Sequence, residues 1–145
     1  MSFSVDANIL LYASDQSSDR HHAAQTFLRR CAQGSDLFFL GYPTLMSYLR
    51  IATHPGIFPR PLTPDEAWQN VCSLAGSPNV RLLAEEQGFL DLYQEVLQAQ
   101  PIRDNLVPDA HLATLLRQHG VRLLYTCDRD FRRFEFLQVR DPFVS

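Results

Sequence analysis

The chain is 145 residues long, 46% hydrophobic and formally −3 at pH 7, which suits one domain with a buried core and excludes a disordered chain. No apolar run approaches the roughly 20 residues of a membrane span, and the N-terminus lacks the basic and apolar segments of a secretory leader. A single cytoplasmic domain over residues 1–145, without membrane association, is therefore expected. The three cysteines, Cys31, Cys72 and Cys127, are too widely spaced for a zinc motif and are expected as buried thiols.

In chain order, SFSV at the start reads as a strand, followed by a short helix over residues 7–13. SSDRHHAAQTFLRRCA is a helix with Ser18 or Asp19 as its cap and Ala23, Phe27 and Leu28 inward. DLFFLG is a short buried strand. Residues 42–53 form a helix opened by Pro43, with Leu45, Leu49 and Ala52 inward, and His54-Pro55-Gly56 ends it. The proline-rich HPGIFPRPLTPDEA is a loop that leads into a capping box, with Thr63 as the cap, Pro64 first and Glu66 third. The helix that follows turns Ala67, Trp68, Val71 and Leu74 inward. NVRLLA is a strand, and residues 86–100 a helix with the stripe Phe89, Leu90, Tyr93 and Leu97. A further helix starts near Asn105 and is closed by Gly120. RLLYT and FLQVR are the last strands. Strands alternating with helices imply an α/β fold in three layers, α/β/α, around a mostly parallel sheet of about five strands. Pattern alone does not fix the strand order.

Three aspartates stand out: Asp6 in SFSVDANILLY, Asp109 in NLVPDAHLATLL and Asp128 in RLLYTCDRDF, each at a change from a strand-like to a helix-like run. In an open parallel sheet such junctions converge on one crevice. A cluster of carboxylates without His or Cys favours a hard cation, Mg²⁺ or Mn²⁺, and points to phosphodiester hydrolysis. Any single Asp at such a place is more ordinarily a helix cap. The three together carry the argument.

The stretches VDANILLYASD, HHAAQTFL, TLMSYLRIATHP, NLVPDAHLATLLRQHG and YTCDRDFRRF, in this order and spacing, resemble the PIN-domain ribonucleases, and among them the VapC-type toxins of bacterial toxin–antitoxin pairs. The resemblance covers nearly the whole chain. It implies a PIN-like fold with the first strand central and Asp6 facing the strand that carries Asp128. Acidic metal ligands are implied at Asp6, Asp109 and Asp128, with Asp130 as an auxiliary; Asp130 and Asp104 are the second-tier candidates. It also implies an RNA substrate, a small VapB-like antitoxin and a homodimer formed through a helical surface. One position departs from the pattern: where such proteins usually carry a Glu, three residues before the Arg of TLMSYLR, this chain has Ser47. A hydroxyl cannot replace the charge of a carboxylate. Either Asp104 or Asp130 compensates, or metal affinity is reduced, or the site is catalytically weakened.

Asn8 and Thr126 are candidates to orient a site carboxylate. All 13 basic residues are arginine; Arg129, Arg132 and Arg133, beside Asp128, are candidates to hold an RNA backbone. Setting aside Asp6, Asp104, Asp109, Asp128 and Asp130 from the 16 acids leaves 11 against those 13 arginines, so the remainder is slightly basic. His111 and His21 are expected to be structural, and Tyr12, Tyr42 and Tyr48 are candidates for base stacking. Two functional readings follow, a metal-dependent endoribonuclease toxin and a catalytically weakened PIN-fold module that binds RNA or protein. An aspartyl-phosphate phosphatase is disfavoured, since Asp6-Ala-Asn8 lacks a second acid and the chain has no lysine.

Overall fold

The computed structural model describes residues 1–144, in the order β1 (Ser2–Val5), α1 (Ala7–Ser14), α2 (His21–Gln33), β2 (Leu37–Gly41), α3 (Tyr42–Ala52), α4 (Pro64–Ala75), β3 (Val80–Leu83), α5 (Phe89–Ala99), α6 (Leu106–Gln118), β4 (Leu123–Tyr125), a 3-10 turn (Arg129–Arg133) and β5 (Gln138–Arg140). The strands form one sheet in the order β3-β2-β1-β4-β5, every neighbouring pair parallel. β1 is central, and Ser4 pairs with Leu124 and Val5 with Tyr125 across β1 and β4. Asp6 and Thr126 are consequently neighbours at the carboxyl edge.

Alternation along the strands divides the interior into two cores. Phe3, Val5, Phe38, Leu40, Val80 and Leu123 pack with helices α1 to α4 on one face. Phe39, Leu124 and Val139 pack with α5, α6 and the 3-10 turn on the other. Phe38 and Leu40 are fully buried, each burial stabilising by about 1.5–3 kcal/mol. Small residues let α6 approach the sheet, since Ala110, Ala113 and Thr114 have no exposed surface. Gly41 serves the same closeness: a Cβ there would lie 2.7 Å from Leu115 Cδ2, and Leu115 is itself fully buried. This approach fixes Asp109, in the first turn of α6, with respect to the sheet.

The capping box forms, with Thr63 N–H donating to Glu66 Oε1 at 3.0 Å and Glu66 N–H to Thr63 Oγ1 at 3.1 Å. Several local expectations are corrected. Neither Ser18 nor Asp19 caps α2, whose N-cap is Arg20; Ser18 Oγ instead accepts the Arg20 N–H at 3.1 Å and shapes the preceding turn. Helix α5 begins only at Phe89, after Gly88 at φ 90, a conformation that suits glycine. Its inward face is Phe89, Tyr93 and Val96, at helical spacing, which leaves Leu90 80% exposed and Leu97 at the surface. Trp68 lies outside the α4 face formed by Ala67, Val71 and Leu74 and is 54% exposed. Of the cysteines only Cys31 is buried, its thiol pushed up to about 12 chiefly by desolvation; Cys72 is exposed and Cys127 half-buried. Among the described residues no helix is long and apolar enough to cross a membrane.

Candidate active site

Asp6 follows β1 and caps α1, its extended backbone donating N–H to the Tyr125 carbonyl at 2.9 Å. Both carboxylate oxygens are engaged: Oδ1 accepts the Ala7 N–H at 2.7 Å and Oδ2 accepts the Thr126 hydroxyl at 2.8 Å. Thr126 is buried and binds in both directions, since its Oγ1 also accepts the Asp128 N–H at 3.0 Å. Asp128 Oδ1 accepts the Asp130 N–H at 2.9 Å, which starts the 3-10 turn. One hydroxyl therefore links the end of β1 to the loop that carries two further acids.

One carboxylate oxygen each from Asp109, Asp128 and Asp130 lies within 4.8 Å of the other two. Asp6 stands outside this set but within electrostatic reach of it. Burial, followed by the negative charges of Asp128, Asp6 and Asp130, pushes the Asp109 carboxyl up to about 7. Burial is also the main influence raising Asp6, with Asp128 adding to it, while the hydrogen bonds from Thr126 and Ala7 work the other way. An arrangement that penalises its own negative charge suits a cation. The donors are all carboxylate oxygens, the set that fits a hard divalent ion.

The sequence-derived candidates distribute unevenly. Asp109 does not follow a strand, as its context suggests; α6 is preceded by α5 and an irregular segment, and Asp109 reaches the sheet edge because α6 packs so closely. Asp130 belongs to the cluster. Asp104 does not: it is exposed in the segment before α6, at φ 54. Asn8 is half-buried in the first turn of α1, and Ser47 half-buried midway along α3. One turn before Ser47, the buried Thr44 hydroxyl has no partner among the described residues, and neither has that of Ser4, two residues before Asp6.

Arg129 and Arg132 are exposed beside Asp128 and line a concavity of about 400 Å³ with Thr126, Arg140 and Asp141. Arg133 faces elsewhere, lining a separate hollow between α5 and α6 with Gln100 and Phe136. Arg140 and Asp141 are absent from the sequence-derived candidates. The available signal was that FLQVR is a strand of a parallel sheet, so its last residue must emerge at the same edge as Asp6 and Asp128. His111 pairs with Glu85 and meets Phe89 edge-on, and His21 Nδ1 donates to the Tyr12 carbonyl at 3.1 Å, both structural uses. Tyr48 is buried, its hydroxyl accepting from Asn70 Nδ2 at 2.9 Å and sharing a hydrogen bond with the Ser14 hydroxyl at 2.7 Å, so stacking on a base is overturned for this residue. Tyr12 is covered by the Arg20 guanidinium, 5.4 Å from its ring centroid, whereas Tyr42 is 45% exposed.

A family model described as PIN domain matches residues 4–137. The chain belongs to the PIN-domain family. This PIN domain is 40% identical over 143 residues to Ribonuclease VapC48 of Mycobacterium tuberculosis, covering 99% of each chain. It is 33% identical over 138 residues to Ribonuclease VapC37 of the same species, covering 95% of each. Among solved structures, the fold matches Mycobacterium tuberculosis VapC20, described as a Sarcin-Ricin loop cleaving toxin, with a TM-score of 0.69 at 19% identity over 95% of this chain and 98% of that one. It also matches VapBC-1 from nontypeable Haemophilus influenzae, with a TM-score of 0.66 at 19% identity over 98% of each.

Proposed function

We propose that this PIN-domain chain is an endoribonuclease that hydrolyses RNA phosphodiester bonds with Mg²⁺ or Mn²⁺ and acts as the toxin of a toxin–antitoxin pair. The observation that carries the chemistry is the convergence of Asp109, Asp128 and Asp130 within 4.8 Å, next to an Asp6 already oriented by Thr126. Full-length relatives named as ribonucleases favour this reading over a module that only binds.

Asp6, Asp109 and Asp128 would hold the ion, with Asp130 in support. A bound divalent ion would supply stabilisation of charge on the phosphate under attack and a lowered pKa for the attacking water. The chain's own contribution is placement. Thr126 holds Asp6 and the Asp128 loop in one register, and the Asp128–Asp130 turn sets the spacing of the last two acids. Arg129 and Arg132 would meet the flanking RNA backbone. His111 and His21 are engaged elsewhere, and the proposal assigns no proton transfer to a histidine. Ser47 leaves α3 without a carboxylate at this point, which lowers the charge offered to the cation.

The protein would be inhibited by a small VapB-like antitoxin and would form a homodimer through a helical surface. Apolar side chains left uncovered on helices, such as Met46 at 51% and Leu90 at 80% exposure, support such contacts. Sedimentation of the purified chain, alone and co-expressed with the product of a neighbouring small gene, tests both. The activity itself is tested by incubating the protein with structured RNA in Mg²⁺, in Mn²⁺ and in chelator. Internal cuts that need metal and vanish in Asp6→Ala are expected; cuts that survive chelation, or no cuts in any condition, overturn the proposal.

A further inference from the structure

Three arginines without carboxylate partners among the described residues line one concavity beside Asp128 of the acidic cluster. Arg129 and Arg132 come from the 3-10 turn and Arg140 from the end of β5, and together they line the 400 Å³ concavity whose inner wall is Thr126, Cys127 and Asp128. Among the described residues, none of the three forms an ion pair. Arg133, by contrast, lies 4.0 Å from Asp130, and Arg117 lies 4.0 Å from Glu95. The acid on the β5 side of the concavity is occupied: Asp141 Oδ1 accepts the Phe143 N–H at 2.8 Å and the Cys127 S–H at 3.7 Å. In a chain of net charge −3, this is a local excess of positive charge, and it borders directly on Asp128.

We infer that the concavity walled by Arg129, Arg132 and Arg140 is a subsite for the RNA phosphate next to the bond being cut, with Arg140 as a further substrate-positioning residue. This inference rests on the endoribonuclease reading and extends it to one flank of the site. A strand with one phosphate at the acids must lay its neighbouring phosphates along the walls beside them, and on the β5 side those walls include Arg129, Arg132 and Arg140. Arginine's planar fork binds phosphate oxygens through paired N–H donors, a geometry that a lysine cannot reproduce. The concavity adjoins Asp128 at the acidic cluster and is lined mainly by polar and charged side chains, as suits a backbone track more than an apolar anchor from a protein. A segment of a protein partner bearing carboxylates is the competing occupant.

The test is binding of a labelled single-stranded RNA to the full chain in chelator, followed by fluorescence anisotropy over a salt series. The variants are Arg132→Gln with Arg140→Gln, Arg140→Gln alone, and Arg30→Gln on the exposed face of α2 as a remote comparison. Each arginine that contacts phosphate contributes about 0.7 to the slope of log affinity against log salt. The double variant is expected to flatten the slope by about twice that amount and Arg140→Gln by about 0.7, with Arg30→Gln matching the parent. Slopes unchanged in the double variant, or no RNA binding by the parent, overturn the inference. So does unchanged RNA binding with weakened capture of the antitoxin, which gives the concavity to protein. Cleavage in Mn²⁺ is scored separately: binding with the expected slopes but no cleavage removes the nuclease reading and leaves the phosphate subsite standing.

Discussion

Asp6 and Asp109 are both aspartates in the first turn or cap of a helix at one sheet edge, yet their surroundings are opposite. Asp6 is held on both oxygens, by a backbone N–H and by the Thr126 hydroxyl, so its direction is set before any cation arrives. Asp109 is raised to about 7 by burial and by three negative neighbours, with no hydrogen bond among the described residues to counter them. The difference separates two tasks. One end of the site is organised by hydrogen bonds, and the other stores repulsion that a divalent cation would relieve.

The largest effect should come from removing the acid shared by both ends. Asp128→Ala deletes a proposed ligand and the cap of the 3-10 turn, and RNA cleavage should fall by on the order of 10²–10³-fold or more. Activity within a factor of two of the parent would place the cation elsewhere. Next comes the organised end: Thr126→Val keeps the shape but frees Asp6 Oδ2 and the Asp128 N–H. Metal affinity or turnover should drop about 10- to 100-fold, and stability by about 1–3 kcal/mol from the groups left unpaired. Calorimetry and urea unfolding would separate the two losses. Ser47→Glu should act in the other direction and tighten Mn²⁺ binding on the order of tenfold by adding one charge. An unchanged affinity would mean that Asp130 already fills that role.

A further expected effect concerns stability without metal. The Asp109 carboxyl sits at about 7 in the fold against an ordinary 3.8, so the folded state binds its proton more tightly than the unfolded chain does. Its contribution is therefore most favourable below about pH 4, is lost as pH rises toward about 7, and is level above that. In chelator, Asp109→Asn should remove this decline and unfold at a higher temperature than the parent at pH 8. A parent melting temperature that rises over this interval while that of Asp109→Asn does not would show that the sign is wrong.

Much of the fold was legible because its signals are local. The capping box at Thr63 and the glycine after α6 each state their own geometry. The errors arose where two readings share one local pattern. Leu90 and Val96 both fit a helical stripe, and only the packing of α5 on α6 chooses Val96. Trp68 was read inward with Ala67, its neighbour on the chain, but the face that packs is Ala67, Val71 and Leu74. Asp6, Asp109 and Asp128 were proposed from their motifs, and the fold groups Asp109 and Asp128 with Asp130, whereas the place of Asp104 outside this group depends on the path of the chain before α6, which no motif describes. Arg140 was hidden because its neighbours in space come from the 3-10 turn, across the β4–β5 crossover.

The central claim is that these acids jointly hold a divalent cation, and Asp109 gives it a direct reading. Mn²⁺ binding should be measured by calorimetry near pH 6.5 and near pH 8.5 in buffers of different ionisation enthalpy, for the parent and for Asp109→Asn. Because a cation favours the ionised carboxylate, the parent should release a substantial fraction of a proton at the lower pH and almost none at the higher, and Asp109→Asn should bind far more weakly without that release. No binding by the parent, or binding with the same proton count at both pH values and in both proteins, would contradict the account.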